Sequence, residues 1–265
     1  MICGKKNLLT VGCSFTEGHY LGKEGSWGYY LSKFTNTNFI NKGSGGASNE
    51  FIMNRLLEEL ELHSNHIKDD VFVIVQWSEC MRSSVYYTHP TNENLSRWHS
   101  ITPQQLVADK LQNDNDENVW LYENKKSFYP FYSSIEPYLH RTYSNMLFVK
   151  NYLENNNIPY LFFDGINNHK LFIKNEEWYL KASTKKNVDF KINVDTKDAC
   201  LINPLIIKKI YNSKNFFNEL DISMNEWLYE MGETYSEGNE GHPNELGSSE
   251  WAKILLKYIN NNLEI

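Results

Sequence analysis

The apolar positions of this chain fall into two patterns that alternate along it. Continuous apolar runs, each short enough to be one buried β-strand, lie at residues 7–12, 39–40, 71–75 and 158–163. Stretches with apolar side chains every three or four residues, as on the buried face of a helix, lie at residues 26–34, 49–60, 139–153 and 245–260. Strands that alternate with helices build a mostly parallel sheet with helices on both faces, so the pattern predicts a three-layer α/β/α fold.

Two long stretches interrupt this pattern. Residues 83–132 are rich in Asn, Gln, Tyr and His, and residues 169–230 contain only short apolar pieces. Segments of this length without a periodicity of their own are uncommon in compact domains unless they are functional loops. We therefore expect a single domain over residues 1–265, with irregular insertions at about 83–132 and 169–230, the first of them a candidate lid.

The composition is that of a soluble globular protein, with 41% hydrophobic and 22% charged residues. The formal net charge of -7 argues against a nucleic-acid partner, because neutralising phosphates requires a basic face. The cysteines are scattered without a C-x-x-C pair, so we expect neither a disulfide framework nor a metal site. The longest apolar run, at residues 71–77, fits one buried strand, so we expect no membrane partner.

The apolar run at residues 8–11 is too short for the core of a signal peptide. We therefore expect synthesis in the cytoplasm. The final location stays open, and a virion is one alternative. The oligomeric state also stays open.

Chemistry is expected where the carboxyl ends of the strands meet, because parallel sheets bind their ligands at that edge. The first strand runs into residues 12–16 (Gly-Cys-Ser-Phe-Thr), which place Ser14 directly after buried backbone. A serine hydroxyl in this position can act as a nucleophile if a base takes its proton. The alternative is a turn serine that only caps a helix.

A second turn, residues 41–46 (Asn-Lys-Gly-Ser-Gly-Gly), follows the next strand. Its glycines let backbone N–H groups come close to a ligand, as an oxyanion hole requires. A tight turn that needs a positive φ is one alternative. A nucleotide-binding loop is another, although the segment lacks the dinucleotide fingerprint and a Walker lysine.

A third group of polar residues follows the apolar run at 71–75. It consists of Gln76, Ser78 and Glu79, with Trp77 among them. These side chains either face a cleft or leave the sheet for solvent. A salt bridge between Glu79 and Arg82 is the simplest structural alternative.

A histidine precedes the last predicted helix. His242 lies between Gly241 and Pro243, on a loop that these neighbours constrain. A histidine held in this way is suited to take up a proton near neutral pH. The alternative is an exposed loop histidine. Among the other histidines, His19 is the nearest rival because it lies close to Ser14 in the sequence.

In their order along the chain, these segments resemble the SGNH/GDSL hydrolases. Residues 12–16 match block one, whose Gly-Asp-Ser carries the nucleophile, and residues 41–46 match block two. Residues 242–244 (His-Pro-Asn) match block five, whose histidine is the general base. The resemblance implies the flavodoxin-like SGNH fold, with Ser14 as the nucleophile and His242 as the base.

The resemblance also implies an oxyanion hole formed by the backbone N–H groups of Ser14 and Gly46. One member departs from the family pattern. Ser78 stands where block three usually has an asparagine that donates to the oxyanion. A hydroxyl can donate too, but its reach is shorter, and the loss of one donor costs about 10²–10³ in turnover.

The third member of the triad departs as well. Asn239 stands where block five usually has the aspartate that orients the base. An amide can accept a hydrogen bond from the imidazole, but it cannot balance the imidazolium charge. Glu240 or Glu237 can replace that carboxylate if the loop bends; otherwise a Ser-His dyad is left.

The function expected from these residues is the cleavage of carboxylic esters through an acyl-enzyme, without a metal or cofactor. The Tyr- and Trp-rich insertions favour a carbohydrate-facing cleft, so the preferred substrate is an O-acetylated carbohydrate. Trp77, Glu79 and Asn49 are the expected substrate contacts. Two alternatives stay open: a glycan-binding or virion-associated module that has lost turnover, and an O-acyltransferase that uses the same residues.

Overall fold

The computed structural model describes residues 1–62, 68–80, 82–87, 97–101, 136–166, 179–180, 190–191, 204–237 and 241–263. Its strands are β1 (Asn7–Val11), β2 (Asn38–Asn41), β3 (Val71–Trp77), β4 (Ser83–Tyr87), β5 (Arg97–Ile101), β6 (Tyr160–Asp164), β7 (Tyr179–Leu180), β8 (Phe190–Lys191), β9 (Ser236–Glu237) and β10 (His242–Pro243). Its α-helices are α1 (Ser14–Glu17), α2 (Trp27–Thr35), α3 (Asn49–Leu62), α4 (Glu136–Asn155), α5 (Pro204–Tyr211), α6 (Met224–Met231) and α7 (Glu245–Asn262). Among these helices, none combines the length and the apolar character needed to cross a membrane.

The central sheet is parallel, with its strands in the order β2-β1-β3-β6. Beyond β6 the backbone around Phe216 continues the sheet. Phe162 N donates to Asn215 O at 2.8 Å, and Phe217 N donates to Phe162 O at 2.8 Å. Numbered along the chain, the parallel segments follow the order of flavodoxin-like folds, in which the first strand lies between the second and the third. The predicted flavodoxin-like α/β class is therefore confirmed.

Helices cover both faces of this sheet. α2 packs on α7, and α3 packs on α4. Phe163 of β6 lies between the first pair, with its ring centroid 5.2 Å from Trp27 and 5.6 Å from Trp251. The next side chain along the strand, Phe162, points to the opposite face and packs on Trp77 at 5.4 Å. Burial on both faces explains why the strands are continuous apolar runs in the sequence.

Serine caps begin two of the predicted helices. Ser26 Oγ accepts from Tyr29 N at 3.4 Å where α2 begins. Ser48 Oγ accepts from Phe51 N at 3.3 Å where α3 begins. Each bond satisfies an N–H group that the first turn of a helix leaves unpaired, so these starts follow from local sequence.

The two interruptions are only partly covered by the described residues. Within 83–132 the described part is an antiparallel hairpin of β4 and β5, and the candidate lid lies outside the described residues. Within 169–230, the expected irregularity is wrong for α5 and α6, which are regular helices of eight residues each. A capping box between Ser223 and Glu226 begins α6. Two turns contain too few repeats for the 3.6-residue period to be visible in the sequence.

Candidate active site

The serine of the first turn lies in α1, directly after β1 has left the sheet. Cys13 is the N-cap residue of α1, and its carbonyl accepts from Thr16 N and Glu17 N, both at 3.0 Å. The alternative that Ser14 only caps a helix is therefore wrong, because Cys13 occupies the cap position. The backbone holds the Ser14 side chain on a single helical turn at the carboxyl edge of the sheet.

Ser14 and His242 are 228 positions apart in the sequence, and they meet at this edge. Ser14 Oγ lies 2.9 Å from His242 Nε2, which is hydrogen-bond distance. Both residues are largely buried, with 9% and 8% of their surfaces exposed. The alternative of an exposed loop histidine is therefore wrong. An imidazole at this distance can take the hydroxyl proton when Nε2 is unprotonated.

The loop that carries His242 is fixed on both sides. β9 and β10 form a two-residue antiparallel ladder at the imidazole, and Gly241 before it has a left-handed φ of 68°. Asn244 after it caps α7, since its Oδ1 accepts from Gly247 N at 2.9 Å. The Asn244 backbone N–H donates to Tyr235 O at 3.1 Å. The position of the imidazole is thus tied to the beginning of a long helix.

Three rings surround the imidazole of His242. Phe15 approaches edge-on at 5.1 Å between centroids, Tyr20 lies perpendicular at 5.6 Å, and His19 is tilted at 4.7 Å. Within the described part of the chain, the His19 side chain has no hydrogen bond to Ser14 Oγ. His19 therefore lies beside His242 and does not replace it as the hydrogen-bond partner of Ser14 Oγ.

The second turn packs directly on the first. Ser44 N donates to Gly12 O at 3.0 Å, one residue beyond the end of β1. Asn41 Nδ2 donates to Thr16 O at 2.8 Å, so the end of β2 also holds the helical turn of the serine. The two glycine-containing segments that the sequence singled out therefore form one surface at the carboxyl edge.

Gly43 of this turn is required by a close approach of two backbones. A Cβ at Gly43 would lie 2.3 Å from Glu17 N, whereas a Cβ at Gly45 would meet only the flexible end of the Glu17 side chain, at 3.0 Å. We expect Gly43→Ala to lower the free energy of unfolding by about 2 kcal/mol or more through overpacking, and Gly45→Ala to change it by about 0.5 kcal/mol or less. Urea denaturation of the two variants measures this difference. Equal losses would contradict the close approach.

The expected oxyanion donors are not used by the fold itself. Within the described residues, neither Ser14 N–H nor Gly46 N–H donates to a protein acceptor. Gly46 has a φ of 74°, a left-handed conformation that favours glycine. Ser78 is fully buried, and its hydroxyl has no hydrogen-bond partner in the described part of the chain.

Gln76 is a residue of the site to which the sequence assigned no role. It was expected to face a cleft or solvent, but it is completely buried, and its side-chain amide bonds Cys13 and Thr16 of the first turn. The signal that could have found it is its place, since Gln76 lies at the carboxyl end of the strand next to β1. Asn41 is the last residue of β2, on the other side of β1.

The structure buries the three side chains that were predicted to contact substrate, and each of them makes a structural interaction. Trp77 is 0% exposed and belongs to the core. Glu79 Oε1 lies 3.4 Å from Arg82 Nε, which is the salt bridge that the sequence offered as the alternative. Asn49 exchanges hydrogen bonds of 2.8 and 3.1 Å with the backbone of Ser78. Polarity at a strand end does not reveal whether a side chain faces solvent or a neighbouring helix.

The predicted third member of the triad lies outside the described residues, and this holds for both Asn239 and Glu240. Of Glu237, the structure describes the backbone, which pairs with His242 in the ladder of β9 and β10. The residue that orients the imidazole therefore stays a prediction.

Two buried groups behind the site, the thiol of Cys80 and the hydroxyl of Tyr211, have raised pKa values and keep their protons near pH 7. Burial raises the pKa of the Cys80 thiol, and the charge of Glu79 raises it further. Burial also raises the pKa of Tyr211, whose hydroxyl donates to Asp164 Oδ2 at 3.3 Å. A thiol that keeps its proton is a poor nucleophile, so Cys80 is not a candidate for that role. Among the described residues, no group of three or more His, Cys, Asp or Glu side chains is placed to hold a metal ion.

A family model described as a family of unknown function, DUF6071, matches residues 17–192 of this chain. The matched stretch begins after Ser14 and ends before His242, so it contains neither of the two residues that meet in the structure. No curated protein matches the sequence.

Solved structures to which this chain is similar include a lipolytic protein of the G-D-S-L family from Veillonella parvula, 13% identical, with 95% of this chain and 96% of that chain covered and a TM-score of 0.45. The psychrotrophic esterase EstA from Pseudoalteromonas is 11% identical, with coverages of 97% and 98% and a TM-score of 0.48. The acetylxylan esterase Axe2 from Geobacillus stearothermophilus is 14% identical, with coverages of 98% and 96% and a TM-score of 0.47. The G-D-S-L family is the one that the sequence motifs resemble. At these identities and TM-scores the similarity carries no argument about function, which has to rest on the site of this chain.

Proposed function

We propose that this chain, which belongs to DUF6071, a family of unknown function, hydrolyses carboxylic esters with Ser14 as nucleophile and His242 as general base. The observation that carries the proposal is the 2.9 Å distance between Ser14 Oγ and His242 Nε2. A serine hydroxyl is a poor nucleophile until a base takes its proton. A buried base at hydrogen-bond distance, on a loop tied to α7, supplies that activation.

The reaction has two halves. Ser14 Oγ attacks the ester carbonyl carbon while His242 Nε2 takes the hydroxyl proton, and the carbonyl electron pair moves to oxygen. The tetrahedral intermediate then collapses, the bond to the alkoxide breaks, and His242 gives its proton to the departing alcohol. Water attacks the acyl-enzyme with His242 again as the base, which releases the acid and restores the serine.

The carbonyl oxygen becomes negative in both halves and needs hydrogen-bond donors. We assign this role to the backbone N–H groups of Ser14 and Gly46. Support comes from the lack of protein acceptors for both among the described residues. Ser78, the third predicted donor, is 0% exposed and is not assigned this role. A single donor of this kind contributes about 10²–10³ in turnover.

The orientation of the base is assigned to its neighbours. The rings of Phe15 and His19 contact the His242 imidazole from two directions. Asn239, with Glu240 as the alternative, is the proposed residue that completes the triad. An asparagine there accepts from the imidazole without neutralising it, which predicts slower turnover than a carboxylate would give.

The proposed substrate is an O-acetylated carbohydrate, and Tyr20 supports this choice. Its side chain is 58% exposed, and its ring stands perpendicular to the His242 imidazole at 5.6 Å. Tyr20 also has a φ of 69°, a conformation that costs free energy for a residue with a side chain and that clusters at functional sites. An exposed aromatic ring beside the base can stack on the apolar face of a sugar ring.

We expect Tyr20→Ala to raise KM for an acetylated oligosaccharide by roughly 3- to 10-fold at unchanged kcat, because stacking stabilises substrate and transition state alike. Ethyl acetate has no ring to stack, so its hydrolysis should not change. Phe34→Ala is the matched control, since Phe34 is 43% exposed near the end of α2 that lies away from the site. Steady-state kinetics on both esters measure the effect. A KM for the oligosaccharide that stays at the wild-type value would contradict the stacking.

The proposed function is tested with a fluorophosphonate probe. The activated Ser14 Oγ should form a bond to phosphorus while the phosphorus–fluorine bond breaks, which adds the probe to one peptide, found by mass spectrometry. Labelling of Ser14 that requires His242 supports the serine hydrolase. If the wild-type protein is not labelled, the site is not catalytic, and the alternative of a glycan-binding module is favoured over the hydrolase. If an added alcohol speeds the loss of an acyl donor, the acyl group passes to the alcohol, and the protein is an acyltransferase.

A further inference from the structure

Gln76 carries a buried primary amide at the centre of the carboxyl edge. It is the penultimate residue of β3 and is 0% exposed. A buried amide costs free energy unless its oxygen and its N–H groups find hydrogen-bond partners. The hydrogen-bond partners of this amide therefore show which part of the structure it holds.

All three described partners of the amide belong to the turn that carries Ser14. Gln76 Oε1 accepts from Thr16 Oγ1 at 2.6 Å and from Cys13 N at 3.3 Å. Gln76 Nε2 donates to Cys13 Sγ at 3.1 Å. Cys13, directly before Ser14, and Thr16, two residues after it, are thus both held by one side chain.

The neighbouring strands leave space for this amide. A Cβ at Gly12, which follows β1, would lie 2.6 Å from Gln76 Oε1. A Cβ at Gly165, which follows β6, would lie 1.8 Å from Gln76 Nε2. Side chains at either position would displace the amide, so glycines on both sides are part of its site.

We propose that Gln76 is a positioning residue for the nucleophile, an inference that rests on the proposed esterase function. By engaging Cys13 N–H and the Thr16 hydroxyl, the amide fixes the helical turn so that Ser14 Oγ meets His242 Nε2. It also occupies the Cys13 N–H, which adjoins the Ser14 N–H that is proposed as an oxyanion donor. Gln76 contacts neither substrate nor the reacting atoms.

The test compares Gln76→Leu, Thr16→Val and the double variant. We expect Gln76→Leu to lower kcat and the rate of fluorophosphonate labelling by about 10- to 100-fold, because a small displacement of a nucleophile has an effect of that size. KM should stay within about twofold, since the substrate contacts are unchanged. Thr16→Val should cause a smaller loss, and the double variant should be no slower than Gln76→Leu, because both changes break the same contact.

Val73→Ala is the matched control for lost stability. Val73 is fully buried on the same strand and pairs with Leu9, away from the first turn. It should lower Tm while leaving kcat at the wild-type value. Hydrogen exchange of the peptide around Cys13 supplies a readout that needs no activity: exchange should be faster in Gln76→Leu than in Val73→Ala.

Each outcome decides the proposal. If the wild-type protein is labelled and Gln76→Leu reacts at the same rate, the positioning role is wrong while the hydrolase proposal stands. Losses that multiply in the double variant also overturn it. If the wild-type protein is not labelled, the hydrolase proposal fails, and hydrogen exchange then tests whether Gln76 fixes the turn at Cys13. Faster exchange in Gln76→Leu supports that role, and unchanged exchange overturns it.

Discussion

Ser14→Ala is expected to lower kcat for p-nitrophenyl acetate hydrolysis by about 10⁴-fold or more, because the atom that attacks the carbonyl is removed. Initial rates under saturating substrate measure the loss. Ser32→Ala is the matched control. Ser32 is also buried, at 3% exposure, and its hydroxyl donates to Tyr29 O inside α2, away from the site. The same chemical change should leave kcat there within about twofold.

The Ser14→Ala result separates the nucleophile from its surroundings. The oxyanion donors and the substrate contacts are retained in this variant, so KM should change little and a residual rate above that of water should persist. An unchanged kcat would show that another group attacks the ester, and the assignment of Ser14 would then be wrong.

The second large effect is expected at the base. His242→Ala should lower kcat by about 10⁴-fold, since Ser14 Oγ loses the group that takes its proton. The substitution removes a buried ring, so imidazole added to the solution can enter the space and restore part of the rate. The double variant with Ser14→Ala should be no slower than either single variant, because residues that act as a unit are not additive.

His19→Gln is the matched control for His242. The two imidazoles lie 4.7 Å apart, yet only that of His242 is bonded to Ser14 Oγ among the described residues. We expect His19→Gln to cost less than about tenfold, with no rescue by imidazole. If His19→Gln caused the larger loss, the roles of the two histidines would have to be exchanged.

Local features of the fold could be predicted because they depend on neighbouring residues. Val71–Trp77 is buried at every position, and a strand covered on both faces has to be apolar throughout. Ser26 and Ser48 begin helices because capping joins groups only three residues apart. α5 and α6 were missed, since two-turn helices contain too few apolar repeats to reveal their period.

The residue types of the site could also be found, through the polar turns after apolar runs and through the family that they resemble. Their surroundings could not. Trp77, Glu79 and Asn49 were assigned to substrate, although a core, a salt bridge and a helix contact bury them. Burial of a polar side chain depends on what packs over it. The partners of Trp77 and Asn49 are distant in the sequence, whereas Glu79 pairs with Arg82, only three residues away.

The sequence by itself determined the alternation of strands and helices, the turns at one edge, and a serine and a histidine suited to acid–base chemistry. Only the tertiary structure decided that Ser14 and His242 lie at hydrogen-bond distance. It also decided that Gln76 of β3 bonds Thr16 in the turn that carries Ser14. The physical reason is separation along the chain. Periodicity and capping act over a few residues, whereas these contacts bridge 228 and 60 positions and exist only once the parallel strands have assembled.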